Sequence, residues 1–206
     1  MKSKSDKKDT IRGTTPVGLA VWPKLDRPDT KFDADGVFST GLRLSAKDAA
    51  PLMKAIDKMM DDMTASVASE QRGRAPKRGD PPYRPFREED GTESGDIIFN
   101  FKMKAVSRYK DRVDNRVPAI FDGSGKPLAL NGPMGGGSKI RVAYSASPYF
   151  VPAIGVGVSL RLEAVQVVDL VKRFDRNDPA TYGFEVVDQQ AGDDTFGAPA
   201  NDEVDF

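Results

Sequence analysis

The sequence contains neither cysteine nor histidine. Without cysteine there can be no disulfide, thiol nucleophile or thiolate metal site. Without histidine, imidazole acid–base chemistry, Ser–His–Asp triads and imidazole metal ligands are excluded as well. No run of about 18 apolar residues occurs, so no transmembrane helix and no membrane partner are expected. The opening stretch MKSKSDKKDT is basic but leads into no apolar core of the kind a signal peptide needs. Carboxylates are plentiful, yet they are densest toward the C-terminus, where no scaffold is expected to hold them at fixed spacing. The chain therefore reads as a non-enzyme without a cofactor, since catalysis needs preorganised groups. Tryptophan is nearly absent too, with Trp22 alone.

Net charge is also missing: 31 Lys and Arg face 31 Asp and Glu. That balance hides a division. Residues 175–206 hold nine acids against Arg176 alone, a charge of −8, while residues 1–174 carry 30 basic and 22 acidic residues, a charge of +8. A basic body joined to an acidic tail can set that tail in competition with a polyanion for one surface, which points to nucleic acid. The tail closes on Asp202, Glu203, Asp205 and Phe206. A terminal aromatic among acids suits a basic pocket on a partner protein. Taken without Phe206, such a tail would read as a disordered solubilising segment.

Three parts are expected: a disordered basic N-terminus over 1–13, a folded body over 14–174, and the acidic tail over 175–206. Residues 14–25 hold a short apolar run suited to a first strand, ending at Trp22-Pro23. Residues 27–36 are turn-rich, and 36–44 read as a second strand. Leu52, Ile56, Met59, Met60, Met63 and Val67 then recur at steps of three and four, which predicts an amphipathic helix from about 46 to 70. Ser45 can cap it, with Pro51 in its first turn. Residues 71–96 read as a long irregular basic loop.

Strand character resumes at 97–109. There Phe99, Phe101, Met103 and Ala105 share one face, and Ile98, Asn100, Lys102 and Lys104 the other. A short strand follows at 117–121, then a tight turn at 122–126. The glycine run 135–137 leads into a strand rather than a helix, so it reads as a turn and not as a phosphate loop. Residues 138–147 form the next strand and 147–152 a connection. The last strand alternates from Val156 to about Leu170. The sum is a mainly β chain: an OB-fold antiparallel barrel with one amphipathic helix and a disordered acidic C-terminal tail.

Binding single strands calls for cations along the phosphates and aromatic rings on the bases. The loop offers Arg72, Arg74, Lys77, Arg78 and Arg84; the strand after it offers Lys102, Lys104, Arg108 and Tyr109. Lys139 and Arg141 share the outward face of a later strand. Trp22, Tyr149 and Phe150 are the remaining candidate stackers.

Several segments together resemble a known family, the single-stranded DNA-binding proteins of short-tailed bacteriophages of the gene 2.5 type. They are Phe99-Asn100-Phe101-Lys102-Met103-Lys104, the stretch from Gly135 through Lys139, Arg141 and Tyr144 to Ser145, then Pro148-Tyr149, Gly155, the long strand after it, and the acidic ending Asp205-Phe206. The resemblance implies an OB fold with a capping helix, and work at a replication fork in the cytoplasm of an infected bacterial host. It implies a tail that contacts the phage DNA polymerase and the helicase-primase, occupies the DNA groove, and supports a homodimer and strand annealing. It places Lys102, Lys104 and Tyr149 at DNA-contacting positions. Two residues past that tyrosine, where the family can carry a second aromatic, this chain has Val151, so Phe150, Trp22 or Tyr109 would have to replace it. Two other readings use the same residues: a strand-annealing recombination mediator, and an OB-like protein-interaction module that binds no nucleic acid.

Overall fold

Alternating side chains build most of the body. In the computed structural model, which describes residues 10–71, 74–110, 112–172 and Tyr182, the elements run in chain order as follows. Strands β1 (Ile11–Thr14), β2 (Gly18–Asp29) and β3 (Val37–Leu44) precede the helix α1 (Ala46–Glu70). Then come β4 (Tyr83–Arg87), β5 (Glu93–Lys104), β6 (Val106–Tyr109), β7 (Arg112–Asn115) and β8 (Ala119–Phe121). The long strands β9 (Lys139–Val151) and β10 (Gly155–Asp169) complete the set. All of them lie in the unit Met1–Phe174; of the second unit, Asp175–Phe206, only Tyr182 is described.

On β5, Phe99, Phe101 and Met103 are buried while Asn100, Lys102 and Lys104 are exposed. On β9, Ile140 and Val142 go in and Lys139 and Arg141 go out; on β10, Val158, Leu160 and Leu162 oppose Ser159 and Arg161. This period of two forces each strand to lay one face on a common core. The pairings run β9–β2–β3–β5–β10 and return to β9. Two seams are thin: β2 meets β9 over Gly18↔Ile140 and Leu19↔Lys139, and β5 meets β10 at Lys102↔Arg161 alone. β1 flanks β9, β8 runs parallel beside β10, and β4 flanks the first half of β5. The result is an OB-like barrel. β6 and β7 form a separate hairpin beyond β5.

The helix packs against β9, β10, β5 and β3. It starts where Ser45 Oγ accepts a hydrogen bond from the Asp48 amide at 3.2 Å, and Asp48 suits the positive N-terminal end of the helix. Ile56 and Met60 are fully buried, and Met59 and Val67 nearly so. Burying one such side chain contributes about 1.5–3 kcal/mol. Pro51 sits in the second turn rather than the first, and the helix continues through it.

Five further expectations need correction. The ordered body begins before residue 14, because β1 pairs with β9 from Ile11↔Ala146 to Thr14↔Ala143. The first strand does not end at Trp22-Pro23. It crosses a bulge there, since Val21 faces Gly41 and Lys24 faces Ser39, three steps on β2 against two on β3. The segment 71–96 is not one loop. Tyr83 opposes Phe99 and Arg87 opposes Glu93, so β4 and the start of β5 make a hairpin, and the irregular part shortens to the stretch before Tyr83. Residues 147–151 are strand rather than connection, and the turn starts only at Pro152. β1 ends opposite Ala146, so Pro148 lies where that edge of β9 asks nothing of its missing amide. The strand read over 97–109 also breaks at Ala105, whose amide donates to Gly36 O at 2.9 Å and hands the chain to the β6–β7 hairpin.

The stretch before β4 is pinned at both ends. Lys77 O accepts from the Val156 amide and Val156 O from the Gly79 amide, each at 2.8 Å. Arg78 pairs with Asp57 and Asp61 of the helix, and the Tyr83 hydroxyl donates to the Asp57 carboxylate at 2.9 Å. Burial, and then that carboxylate, push the Tyr83 phenol up to about 12.

Gly155 adopts φ +104, and a Cβ there would run into Lys77 O. Gly155→Ala is therefore expected to cost about 2 kcal/mol, a fall in Tm of roughly 4–8 °C by calorimetry; an unchanged Tm would refute the clash. The raised phenol of Tyr83 makes its contribution complete below about pH 10, the unfolded value, and progressively lost as pH rises toward 12. Denaturant melts across that window should fall less steeply for Tyr83→Phe, and equal slopes would reject the assignment.

Candidate nucleic-acid interface

The outward face of β5 opens into a groove of about 800 Å3. Asn100, Lys102 and Lys104 form its floor, and Ser159 and Arg161 of β10 one wall. Tyr149 of β9, Arg108 of β6, Arg116, and the acids Asp35 and Asp80 complete the lining used here. Strand parity delivers these groups. Lys102 is the register partner of Arg161, and each lies beside buried neighbours that fix which way it points.

Tyr149 lies across Gly157, its register partner. A Cβ on Gly157 would stand 2.5 Å from the Tyr149 ring. The absence of that side chain lets the phenol lie against the strand with its other face toward the groove.

The groove cations are partly compensated from within. Arg108 grips Asp35 through two hydrogen bonds, Nη2 to Oδ1 at 2.5 Å and Nε to Oδ2 at 3.2 Å. Lys104 stands 3.3 Å from Asp33, and Arg161 3.7 Å from Glu163. Among the described residues Lys102 and Arg116 form no ion pair. The Arg108 guanidinium holds the Asp35 carboxyl below its usual range, with Lys104 adding a smaller pull. Asp35 thus stays ionised at neutral pH, and its pairing is lost only as pH falls through that lowered value.

Four expected site residues meet here: Lys102, Lys104, Arg108 and Tyr149. The others go elsewhere for identifiable reasons. Phe150 follows Tyr149 directly, so it points to the opposite face and packs against the core beside Val156. Tyr109 is 63% exposed at the tip of the β6–β7 hairpin, with Lys110 over its ring. Lys139 pairs with Asp169 at 3.6 Å, and Arg141 Nε donates to Thr15 O at 3.2 Å. Arg78 is committed to the helix acids. Lys77 and Arg74 are exposed on the stretch before β4, and Arg84 is exposed on β4 opposite Ile98. Arg72, Asp202, Glu203, Asp205 and Phe206 lie outside the described residues.

Arg161 and Asp35 line the groove without having been expected there. Arg161 had a signal, since it alternates outward with Ser159 on the last strand. Asp35 had none, because the β2–β3 turn reaches the groove only in three dimensions.

Trp22 stands apart from that groove. It is 72% exposed and takes φ +47, a left-handed conformation costing roughly 1–2 kcal/mol for a bulky residue. Around it lies a second depression of about 490 Å3 with Val21, Arg43, Phe86, Arg87 and the loop at Gly137. Arg43 stacks on the Phe86 ring at 4.1 Å and is ion-paired to Glu88 and Asp96.

A family model described as the single-stranded DNA-binding protein of bacteriophage T7 matches residues 18–170. The chain belongs to this family. Its relatives include a single-stranded DNA-binding protein of Enterobacteria phage T3, 30% identical over 145 residues, and one of Escherichia phage T7, 29% identical over the same length. Each alignment takes in 66% of this chain and 62% of the relative, so the match spans less than two thirds of either relative's length. Among solved structures, the T7 protein gp2.5 superposes with a TM-score of 0.67 at 25% identity, covering 93% of this chain and all of that one. The single-stranded DNA-binding protein of bacteriophage Enc34 in complex with single-stranded DNA shares the fold at 14% identity, with a TM-score of 0.57, over 85% of this chain and 97% of that one.

Asp35 brings negative charge into the groove while occupying Arg108. Asp35→Asn should tighten binding of poly(dT) roughly two- to fivefold at low salt, measured by anisotropy of a labelled competitor. Weaker binding would mean that the pair holds Arg108 in place rather than masking it.

Proposed function

We propose that this protein binds single-stranded DNA without regard to sequence, protecting and organising it during phage replication and recombination in the cytoplasm of the infected host. The observation that carries the reading is the groove in which Tyr149 lies beside Lys102, Lys104, Arg108, Arg116 and Arg161. Cations of this kind follow a phosphate backbone, and a ring with one open face stacks on any base, which gives affinity without sequence choice. Membership of the family and the DNA named for its relatives support the same reading.

In this reading the acidic tail has two uses. At −8 against a body of +8, it competes with DNA for the groove. Its ending, Asp202, Glu203, Asp205 and Phe206, serves as the handle for the phage DNA polymerase and helicase-primase, and for a second copy in a homodimer.

A salt titration of poly(dT) binding, comparing the full chain with one ending at Glu185, tests the groove and the competing tail. Five groove cations at about 0.7 released counterions each predict a log–log slope near −3.5. The truncated chain should bind more tightly. Steep binding indifferent to truncation would remove the gate and leave the handle. Failure of both forms to bind would overturn the DNA reading in favour of a protein-interaction module.

A further inference from the structure

The groove at Tyr149 does not end at β5. Arg161, Lys102, Ser39 and Lys24 are successive register partners on β10, β5, β3 and β2. Facing partners share a face, so these four form a straight row across the outside of the barrel. Lys102, Arg161 and Lys24 are exposed, and the row contains no carboxylate. Asp29 pairs with Lys24 from the side. Three strand spacings of about 4.8 Å place the far end of the row roughly 14 Å from its start. The neighbouring row, Asn100, Gly41 and Val21, carries no charge, and Ile98 fills the space over Gly41, so the surface beside the basic row is apolar there.

Trp22 sits at the far end, in the bulge between those two rows. The bulge matters because it turns Val21 and Trp22 outward together, where a regular strand would bury one of them. Trp22 gains nothing from the interior: it is 72% exposed and holds a strained φ of +47. No ring contact or cation over its own ring accompanies it among the described residues. A large rigid ring held outward under strain, with most of its surface in water, is suited to something outside the chain. The basic groups nearest it are themselves paired, Arg43 with Glu88 and Asp96 and Arg87 with Glu93. What the place offers is aromatic surface: the indole, and Phe86 with the Arg43 guanidinium flat upon it.

We infer that Trp22 is a second base-stacking position, reached by the same DNA strand after it leaves Tyr149 and crosses β5 and β3 along the row Arg161–Lys102–Ser39–Lys24. The inference rests on the DNA-binding reading. It fixes the direction of the strand across the barrel, from β10 toward β2, perpendicular to the protein strands. It also makes the occupied length longer than the groove, so short oligonucleotides fill the groove and leave Trp22 untouched.

Because Trp22 is the sole tryptophan, its fluorescence reports this position and nothing else. The test titrates the full chain with an oligo(dT) series of rising length while following Trp22 emission and, separately, anisotropy of labelled DNA. Short members are expected to bind without quenching, and longer ones to bind with quenching. Trp22→Gly suits a left-handed backbone, so it should fold at least as well as the parent while binding long oligo(dT) about tenfold more weakly. Trp22→Phe should recover most of that loss, and neither change should alter affinity for the shortest binding members. Binding of every length with unchanged emission, together with undiminished affinity of Trp22→Gly, would overturn the inference. It would leave the groove intact and assign the depression to another partner. Absence of binding at any length would instead overturn the DNA reading itself.

Discussion

Both the core and the groove depend on one strand being tied on both edges while its side chains alternate. β5 is held by β3 along its second half from Ile97↔Leu44 to Lys104↔Val37, and on its other edge by β4 and then β10. Phe99 and Phe101, fully buried, each contribute about 1.5–3 kcal/mol by leaving water. A slip of one residue would expose both and drive Lys102 inward, where an unpaired ammonium is untenable. Burial of the phenylalanines is therefore what aims Asn100, Lys102 and Lys104 at the groove. The affinity of the outer face is set by the packing of the inner one.

The groove is preorganised without being tightly closed to an anion. Asp35 and Asp33 hold Arg108 and Lys104 in place from the β2–β3 turn. Such pairs at the surface are worth little, about 0–1 kcal/mol, because water and salt screen them. A phosphate can therefore take over a cation from its carboxylate at small cost, while the side chain has already been ordered. Lys102, the member of the row with no acid of its own, is the position where incoming charge meets the least competition.

Long periodic elements were legible in the sequence. The helix over 46–70 follows from apolar steps of three and four, and its cap from Ser45. The two faces of β5 follow from alternation, although Ile98 breaks the rule, buried on the outward face over Gly41. Short punctuated segments were not legible. Proline suggested an ending at Trp22-Pro23 and a connection at 147–152, yet the chain is strand at the first and as far as Val151 in the second, because one crosses a bulge and the other runs along a free edge. For Tyr149 and Phe150, adjacency alone shows that only one can face out. Which one is decided by Gly157 across the ladder, information that lies eight residues away and is visible only once register is known. Loop arginines were overrated for a related reason: Arg78 is drawn to Asp57 and Asp61 on the helix, a partner that sequence distance conceals.

Gly155, Gly157 and Trp22 are each set by something different, in the space beside the residue or in its backbone angle. Gly155, at φ +104, is explained inside the fold, since Lys77 O occupies the place of its Cβ. Gly157 is explained at the edge of the fold, because the Tyr149 ring fills the space of a missing side chain and a ligand-facing aromatic is thereby positioned. Trp22 is explained by nothing among the described residues: a bulky residue in a glycine-like conformation, with most of its surface in water. Glycine at that position would satisfy the same bulge without strain. The chain keeps the largest aromatic where the smallest residue would serve the backbone better, so the reason for it lies in what the indole touches outside the fold.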